Sequence, residues 1–170
     1  MADQITLDRI ETIHPKLKSQ LRQIYADICE ALSGAVQCRF SFVLRTVDEQ
    51  DELYAQGRSK PGKIVTNARG GHSYHNYGLA IDIVMLLDKD GDGKYEEASW
   101  DEHLDFDKDG ISDWQEVVAI FKRYGWEWGG DWKFQDTPHF QRTFGKSIAE
   151  LLTAYNGKNF IEGTKYVSLA

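Results

Sequence analysis

The stretch GGHSYHNYGLAIDIV, Gly70 to Val84, constrains the chain more than any other. Its second half, with Leu79, Ile81 and Ile83 alternating, reads as a strand whose apolar face belongs to a core. The other face carries Ala80 and Asp82, and a carboxylate buried in a sheet is costly unless something compensates its charge. Three glycines (Gly70, Gly71, Gly78) and two histidines (His72, His75) crowd the approach to that strand. Glycine lets a backbone turn tightly, so an imidazole can come close to the aspartate.

At 170 residues, with 41% hydrophobic and 12% aromatic residues, the chain is long enough for one domain with a real core and is not compositionally disordered. No apolar run reaches membrane-spanning length, which predicts no membrane insertion. No basic stripe with interleaved aromatics is present, so no nucleic-acid partner is expected. The segment MADQITLDRIETIHPK lacks the basic start and apolar centre of a secretion signal. A chain made in the cytoplasm, and exported only by another route, is the expectation. Cys29 and Cys38 lack CxxC spacing and read as core thiols.

The net charge of −7 is local. Residues 88–116 hold 12 acidic and 3 basic residues, and the remainder of the chain is close to neutral. Around this segment the periodicity predicts an α+β pattern. Leu17, Leu21, Ile24, Ile28 and Leu32 mark a helix over 15–32, VQCRFSFVLR a strand, and VDEQDELYAQGR a short helix ended by Gly57. Residues 79–87 form a strand, and DWQEVVAIFKRYG a helix with Val117, Phe121 and Tyr124 on one face. The aromatic run WEWGGDWKFQDTPHFQRTF gives strands around a turn, followed by a short helix near 147–155 and a terminal strand near 164–168.

Within the acidic segment, DFDKDGISDWQE matches an EF-hand calcium loop. Asp105, Asp107 and Asp109 fall at positions 1, 3 and 5, and Gly110 supplies the sharp turn at 6. Ile111 offers its carbonyl at 7, Asp113 stands at 9, and Glu116 is the bidentate ligand at 12. The alternative is a solvated acidic loop. DKDGDGKYEEAS opens the same way with Asp88, Asp90 and Asp92, but its twelfth position is Ser99. It reads either as a second, irregular calcium site or as an acidic turn.

A zinc site needs neutral imidazoles, often with a carboxylate, converging on one point. No HExxH helix is present. His75 and Asp82 can meet through the turn, and His139, in QDTPHF, is the natural third ligand. Spacing alone also allows a buried hydrogen-bonded pair with no metal.

The same residues carry a resemblance. SYHNYGLAID fits the SxHxxGxAxD motif of the M15 zinc metallopeptidases, the VanY/VanX-like group. DTPHF fits their second signature, an acidic residue three positions before the last histidine. RTVDEQDELYAQGR, VTNARGGHSYHNYGLAIDIV and EWGGDW look like the phage-endolysin and CwlK-like L-alanyl-D-glutamate peptidase branch. The similarity spans about residues 10–155.

It implies a Hedgehog/D,D-peptidase-type α+β fold, a small antiparallel sheet flanked by helices. The whole of 1–170 would be one peptidase domain that includes the acidic segment 88–116. It also implies His75, Asp82 and His139 as zinc ligands, Asp136 as general base, Arg45 as oxyanion stabiliser, and Ser73 and Gln50 as pocket or substrate-binding residues. The implied partner is the peptidoglycan stem peptide, cut by a monomer acting on the cell wall.

Other readings stay open at this stage. Arg45 can pair with Asp48 or Glu49, and Asp131 is a rival base. His72 and His103 read as loop and surface residues, and His14 as capping or packing the first helix. Trp126, Trp128 and Trp132 read as core and cleft wall. The scissile bond can instead be D-Ala–D-Ala, and the chain can be a non-catalytic, calcium-dependent binding module.

Overall fold

The computed structural model describes residues 2–170. Two helices open the chain: α1 (Gln4–Ile10), capped by the Asp3 carboxylate accepting from Thr6 N–H, and α2 (Pro15–Ala31). The apolar stripe foreseen on α2 is buried from Leu17 to Ile28. Strand β1 (Val36–Phe42) leads to α3 (Val47–Ala55), which a Thr46–Glu49 capping box starts. A 3-10 turn (Tyr74–Tyr77) then delivers the chain to β2 (Ala80–Leu87). There follow β3 (Glu97–Ser99), α4 (Asp113–Arg123), β4 (Glu127–Trp128), β5 (His139–Gln141) and α5 (Ile148–Asn156).

Strand β2 organises the sheet. β1 pairs along one edge, while on the other edge β5 takes Ala80–Asp82 and β3 takes Met85–Leu87, all antiparallel. β4 extends the sheet beyond β5. This is the small antiparallel sheet flanked by helices that the sequence led us to expect.

The core is a train of aromatic rings between α2, the sheet and α4. Tyr25 meets Phe40 edge-on at 5.2 Å, Phe40 faces Phe121 at 6.0 Å, and Phe121 stacks on Phe140 at 4.4 Å. Phe140 adjoins His139, so the core reaches the end of β5 that carries a candidate ligand. Cys38 is buried and Cys29 half-buried, both as free thiols.

Three departures from the sequence reading have plain causes. α1 has too few residues for a helical stripe to stand out. β3 forms only because β2 outlasts its pairing with β5. The strand expected near 164–168 is reduced to one bridge, Phe160 with Val167, because that segment is tied to the start of α2 instead. There the Val167 carbonyl lies 2.9 Å from His14 Nε2, and the Tyr166 hydroxyl donates to Thr12 O at 2.8 Å.

His14 therefore does more than cap α2. Its Nδ1 accepts from Lys16 N–H at 3.2 Å, so Nε2 carries the proton donated to Val167, and both nitrogens are satisfied in the neutral ring. Burial lowers its pKa, against the opposing bond to Val167. A depressed histidine pKa means that the unfolded chain binds the extra proton first. The His14 contribution is thus complete above about pH 6.5, the ordinary histidine value, and is lost as pH falls through the depressed folded value. The denaturation midpoint should fall on acidification more in the wild type than in His14→Asn, which keeps a capping oxygen; equal slopes would refute this.

Candidate active site

The turn before β2 is held by side chains as well as by glycine. Asn76 Oδ1 accepts from Gly71 and Ser73 N–H at 3.0 and 3.2 Å, while its Nδ2 donates to Arg45 O at 2.9 Å. Gly78 ends the turn at φ 65°, where a Cβ would lie 2.7 Å from His14 N. This geometry delivers His75 next to β2. His139 arrives by register, since it is the direct cross-strand partner of Asp82, and directly opposed side chains share a face.

Three donor atoms converge. His75 Nε2 and His139 Nδ1 each lie 3.2 Å from Asp82 Oδ1, and the two rings meet edge-on at 5.1 Å. The remaining nitrogens are fixed from outside: His75 Nδ1 is 2.9 Å from Val43 O, and His139 Nε2 is 3.0 Å from Gln141 Oε1. A carbonyl only accepts, so His75 carries its proton on Nδ1 and points the Nε2 lone pair at Asp82. Two ring nitrogens and a carboxylate facing one point repel one another unless a cation lies between them. This donor set and its outer bonds fit zinc. Burial opposes charge on Asp82, but the proximity of His139 and His75 outweighs it and holds its carboxyl well below the usual carboxylate range. Burial likewise opposes the His139 imidazolium, and Asp82 with Gln141 and Asp136 outweighs it to raise the pKa.

The cluster opens into a cleft of about 480 Å³ lined by Arg45, Gln50, His72, Ser73 and Asp136, with Phe42 and Val65 as apolar wall. Asp136 is exposed to this cleft, and its backbone is fixed by Asp136 N–H to Gly129 O (3.0 Å) and His139 N–H to Asp136 O (3.1 Å). The approach demands glycine at 129, where a Cβ would sit 2.2 Å from Asp136 O. Asp131, the rival base, is paired with Lys122 at 2.7 Å and is not among the cleft-lining residues.

Arg45 pairs with neither Asp48 nor Glu49 among the described residues. Its Nη1 donates to Gln50 Oε1 at 3.1 Å and its guanidinium lies over Phe42. Gln50 is fully buried, and its Nε2 donates to Ala68 O (2.9 Å) and Thr66 Oγ1 (3.3 Å). It lines the cleft and holds Arg45 in place from there. Ser73 caps the 3-10 turn through His75 N–H and lines the cleft. His72 and His103 are exposed. Trp126 and Trp128 are buried, and the exposed Trp132 ring packs at 5.4 Å on His139.

The acidic segment folds into two carboxylate clusters. In the first, Asp88 accepts from Gly91 and Gly93 N–H, and Asp90 and Asp92 gather beside it. In the second, oxygens of Asp105, Asp107 and Asp113 converge, as do those of Asp107, Asp109 and Glu116. The Asp105 carboxylate accepts from Asp109 and Gly110 N–H, which wraps the loop around it. Asp113 is 1% exposed, yet its Oδ1 has no partner among the described residues, and Glu116 Oε2 is likewise buried and unmatched. Burial, reinforced by the neighbouring aspartates, pushes the Glu116 carboxyl up to about 7.

This second cluster opens α4, whose last turn contacts the segment that leads to Asp136. Lys122 holds Asp131 and lies over the Trp128 ring, whose Nε1 donates to Thr137 O at 2.7 Å, next to Asp136.

Sequence reasoning did not find Asn76, Val43, Gln141 or Glu127. Gln141 carried a signal, since residues two apart on a strand share a face and His139 was already a candidate. Val43 acts through its backbone, and Glu127 enters only through strand pairing.

Two histidines and an aspartate in an open cleft, with a carboxylate and an arginine facing the same space, are the equipment of a metal-dependent hydrolase. Comparison with known proteins narrows the class. A family described as D-alanyl-D-alanine carboxypeptidase, within peptidase group M15, matches residues 66–142. The peptidoglycan L-alanyl-D-glutamate endopeptidase CwlK of Bacillus subtilis (strain 168) is 48% identical over 130 residues, covering 76% of this chain and 72% of CwlK. The crystal structure of the Serratia marcescens L-Ala D-Glu endopeptidase ChiX shares the fold, with a TM-score of 0.51 and 22% identity over 82% of this chain and 87% of that one. The chain belongs to the M15 family of metallopeptidases.

Proposed function

We propose that the chain is a one-domain zinc endopeptidase that hydrolyses the L-alanyl–D-glutamate bond of peptidoglycan stem peptides. The observation that carries this reading is the convergence of His75 Nε2, Asp82 Oδ1 and His139 Nδ1 at a cleft shared with Asp136 and Arg45. The likeness to CwlK supplies the bond.

His75, Asp82 and His139 would hold the zinc, which supplies a Lewis acid at the scissile carbonyl and a lowered pKa for the attacking water. Asp136 takes the proton that this water loses and returns it to the leaving amine as the C–N bond breaks. Arg45, held by Gln50 and Phe42, offers its guanidinium to the oxygen on which negative charge develops. Purified protein supplied with zinc should cleave muropeptides between L-Ala and D-Glu, read by mass spectrometry. The family description favours a second reading, in which the same digest releases terminal D-Ala. Intact muropeptides would contradict both and leave the non-catalytic binding module.

We also propose that Asp105, Asp107, Asp109, Ile111, Asp113 and Glu116 hold calcium and that this ion regulates the cleft through α4. The supporting observation is that Asp113, a member of the carboxylate cluster, keeps a buried Oδ1 with no partner among the described residues. The carboxylates of Asp88, Asp90 and Asp92 show no such orphan, and the proposal stops short of them. Calcium added to zinc-loaded, calcium-free protein should stabilise it by about 2.7 kcal/mol at a hundredfold excess over Kd, and should raise kcat with zinc content constant. Asp113→Asn should abolish the stabilisation. Stabilisation without a change in kcat would reduce the ion to a structural role, and no stabilisation would exclude the site.

A further inference from the structure

We infer that Gln141 and Glu127 form an outer relay that selects the tautomer of His139 and thereby sets the metal affinity of the site. The inference rests on the zinc-site reading above.

Strand alternation puts Gln141 on the face of β5 that carries His139, and cross-strand register places it opposite Glu127 on β4. Gln141 is buried at 7% exposure, with its Oε1 3.0 Å from His139 Nε2 and its Nε2 donating to Glu127 Oε2 at 3.0 Å. An amide can present either end to a histidine, so Gln141 alone specifies nothing. Glu127 removes the ambiguity, because a carboxylate only accepts. It takes the amide N–H, which turns Oε1 to His139 and makes Nε2 the protonated ring nitrogen. Nδ1 is then left with its lone pair toward Asp82.

The two histidines are therefore fixed by different means. His75 is set by the Val43 carbonyl, which no side-chain substitution removes. His139 is set by two side chains, the outer one exposed. Through this relay, surface chemistry at Glu127 reaches a ligand without touching the metal. Gln141 and Glu127 are positioning residues, since neither faces the point where the three donors meet.

The test is the zinc dissociation constant, measured by chelator competition on full-length protein, together with the ¹⁵N spectrum of the histidine rings in the zinc-loaded wild type. Gln141→Leu should bind zinc roughly 10–100-fold more weakly. Glu127→Gln, which frees the amide to turn, should weaken binding by a smaller factor. The double variant Gln141→Glu/Glu127→Gln returns an acceptor to His139 and a donor to the pair, and should regain most of the lost affinity. The spectrum should show His139 protonated at Nε2.

Unaltered affinity in Gln141→Leu, or failure of the double variant to exceed Gln141→Leu, would overturn the relay. So would a proton on His139 Nδ1, which decides the matter even if Gln141→Leu does not fold. A wild type that binds no zinc would instead bring down the site reading itself.

Discussion

Replacing Asp136 by Asn should lower kcat roughly 10²–10⁴-fold, the usual worth of a positioned general base, while zinc affinity stays unchanged. Asparagine keeps the size of the side chain and loses only the capacity to take a proton. The backbone bonds that fix residue 136, to Gly129 and His139, are untouched by the change. Asp136 is also absent from the three-atom donor cluster, so the metal site is not altered. Activity and zinc content measured on the same preparation separate the two effects. A variant that keeps its zinc and its kcat would remove Asp136 from catalysis, and loss of zinc would recast it as a ligand.

Phe121→Ala should destabilise the protein by about 3–5 kcal/mol, the range for deleting a buried aromatic ring. Phe121 is fully buried and joins three elements, stacked on Phe140 of β5 at 4.4 Å, near Phe40 of β1 at 6.0 Å and against Trp126 at 5.4 Å. The cavity would open against Phe140, the neighbour of His139 on β5. Guanidinium denaturation measures the loss. A change below about 1 kcal/mol, within the range of tolerated core swaps, would show that the ring train is not what holds α4 to the sheet.

Much of the site was legible in the sequence because its central residues obey local rules. Asp82 stood out as a charge in an apolar strand, and His75 lay one turn away. α2, α3, α4 and α5 announced themselves by period and punctuation. The residues that orient the site were less visible, because orientation is a tertiary property. Gln50 was read as a pocket residue, but that its amide also holds Arg45 could be seen only in the structure. Glu127 gains meaning only when β4 lies beside β5. Asn76 looked like an ordinary turn residue, although one side chain joins Gly71, Ser73 and Arg45. The terminal segment was misread as a strand because its hydrogen bonds go to His14 and Thr12, far away in sequence.

The original anomaly has a physical account in the zinc-site reading. Asp82 sits opposite His139 in register and 3.2 Å from His75 Nε2, where a shared cation would compensate its charge. The acidic segment poses the same question at a second place, with a buried, unpartnered carboxylate oxygen in a cluster of acidic side chains.

The most direct test is a zinc-edge anomalous diffraction map of crystals of the zinc-loaded protein. The account predicts a peak bonded to His75 Nε2, Asp82 Oδ1 and His139 Nδ1. A peak elsewhere, or bonded to His139 through Nε2, would contradict it.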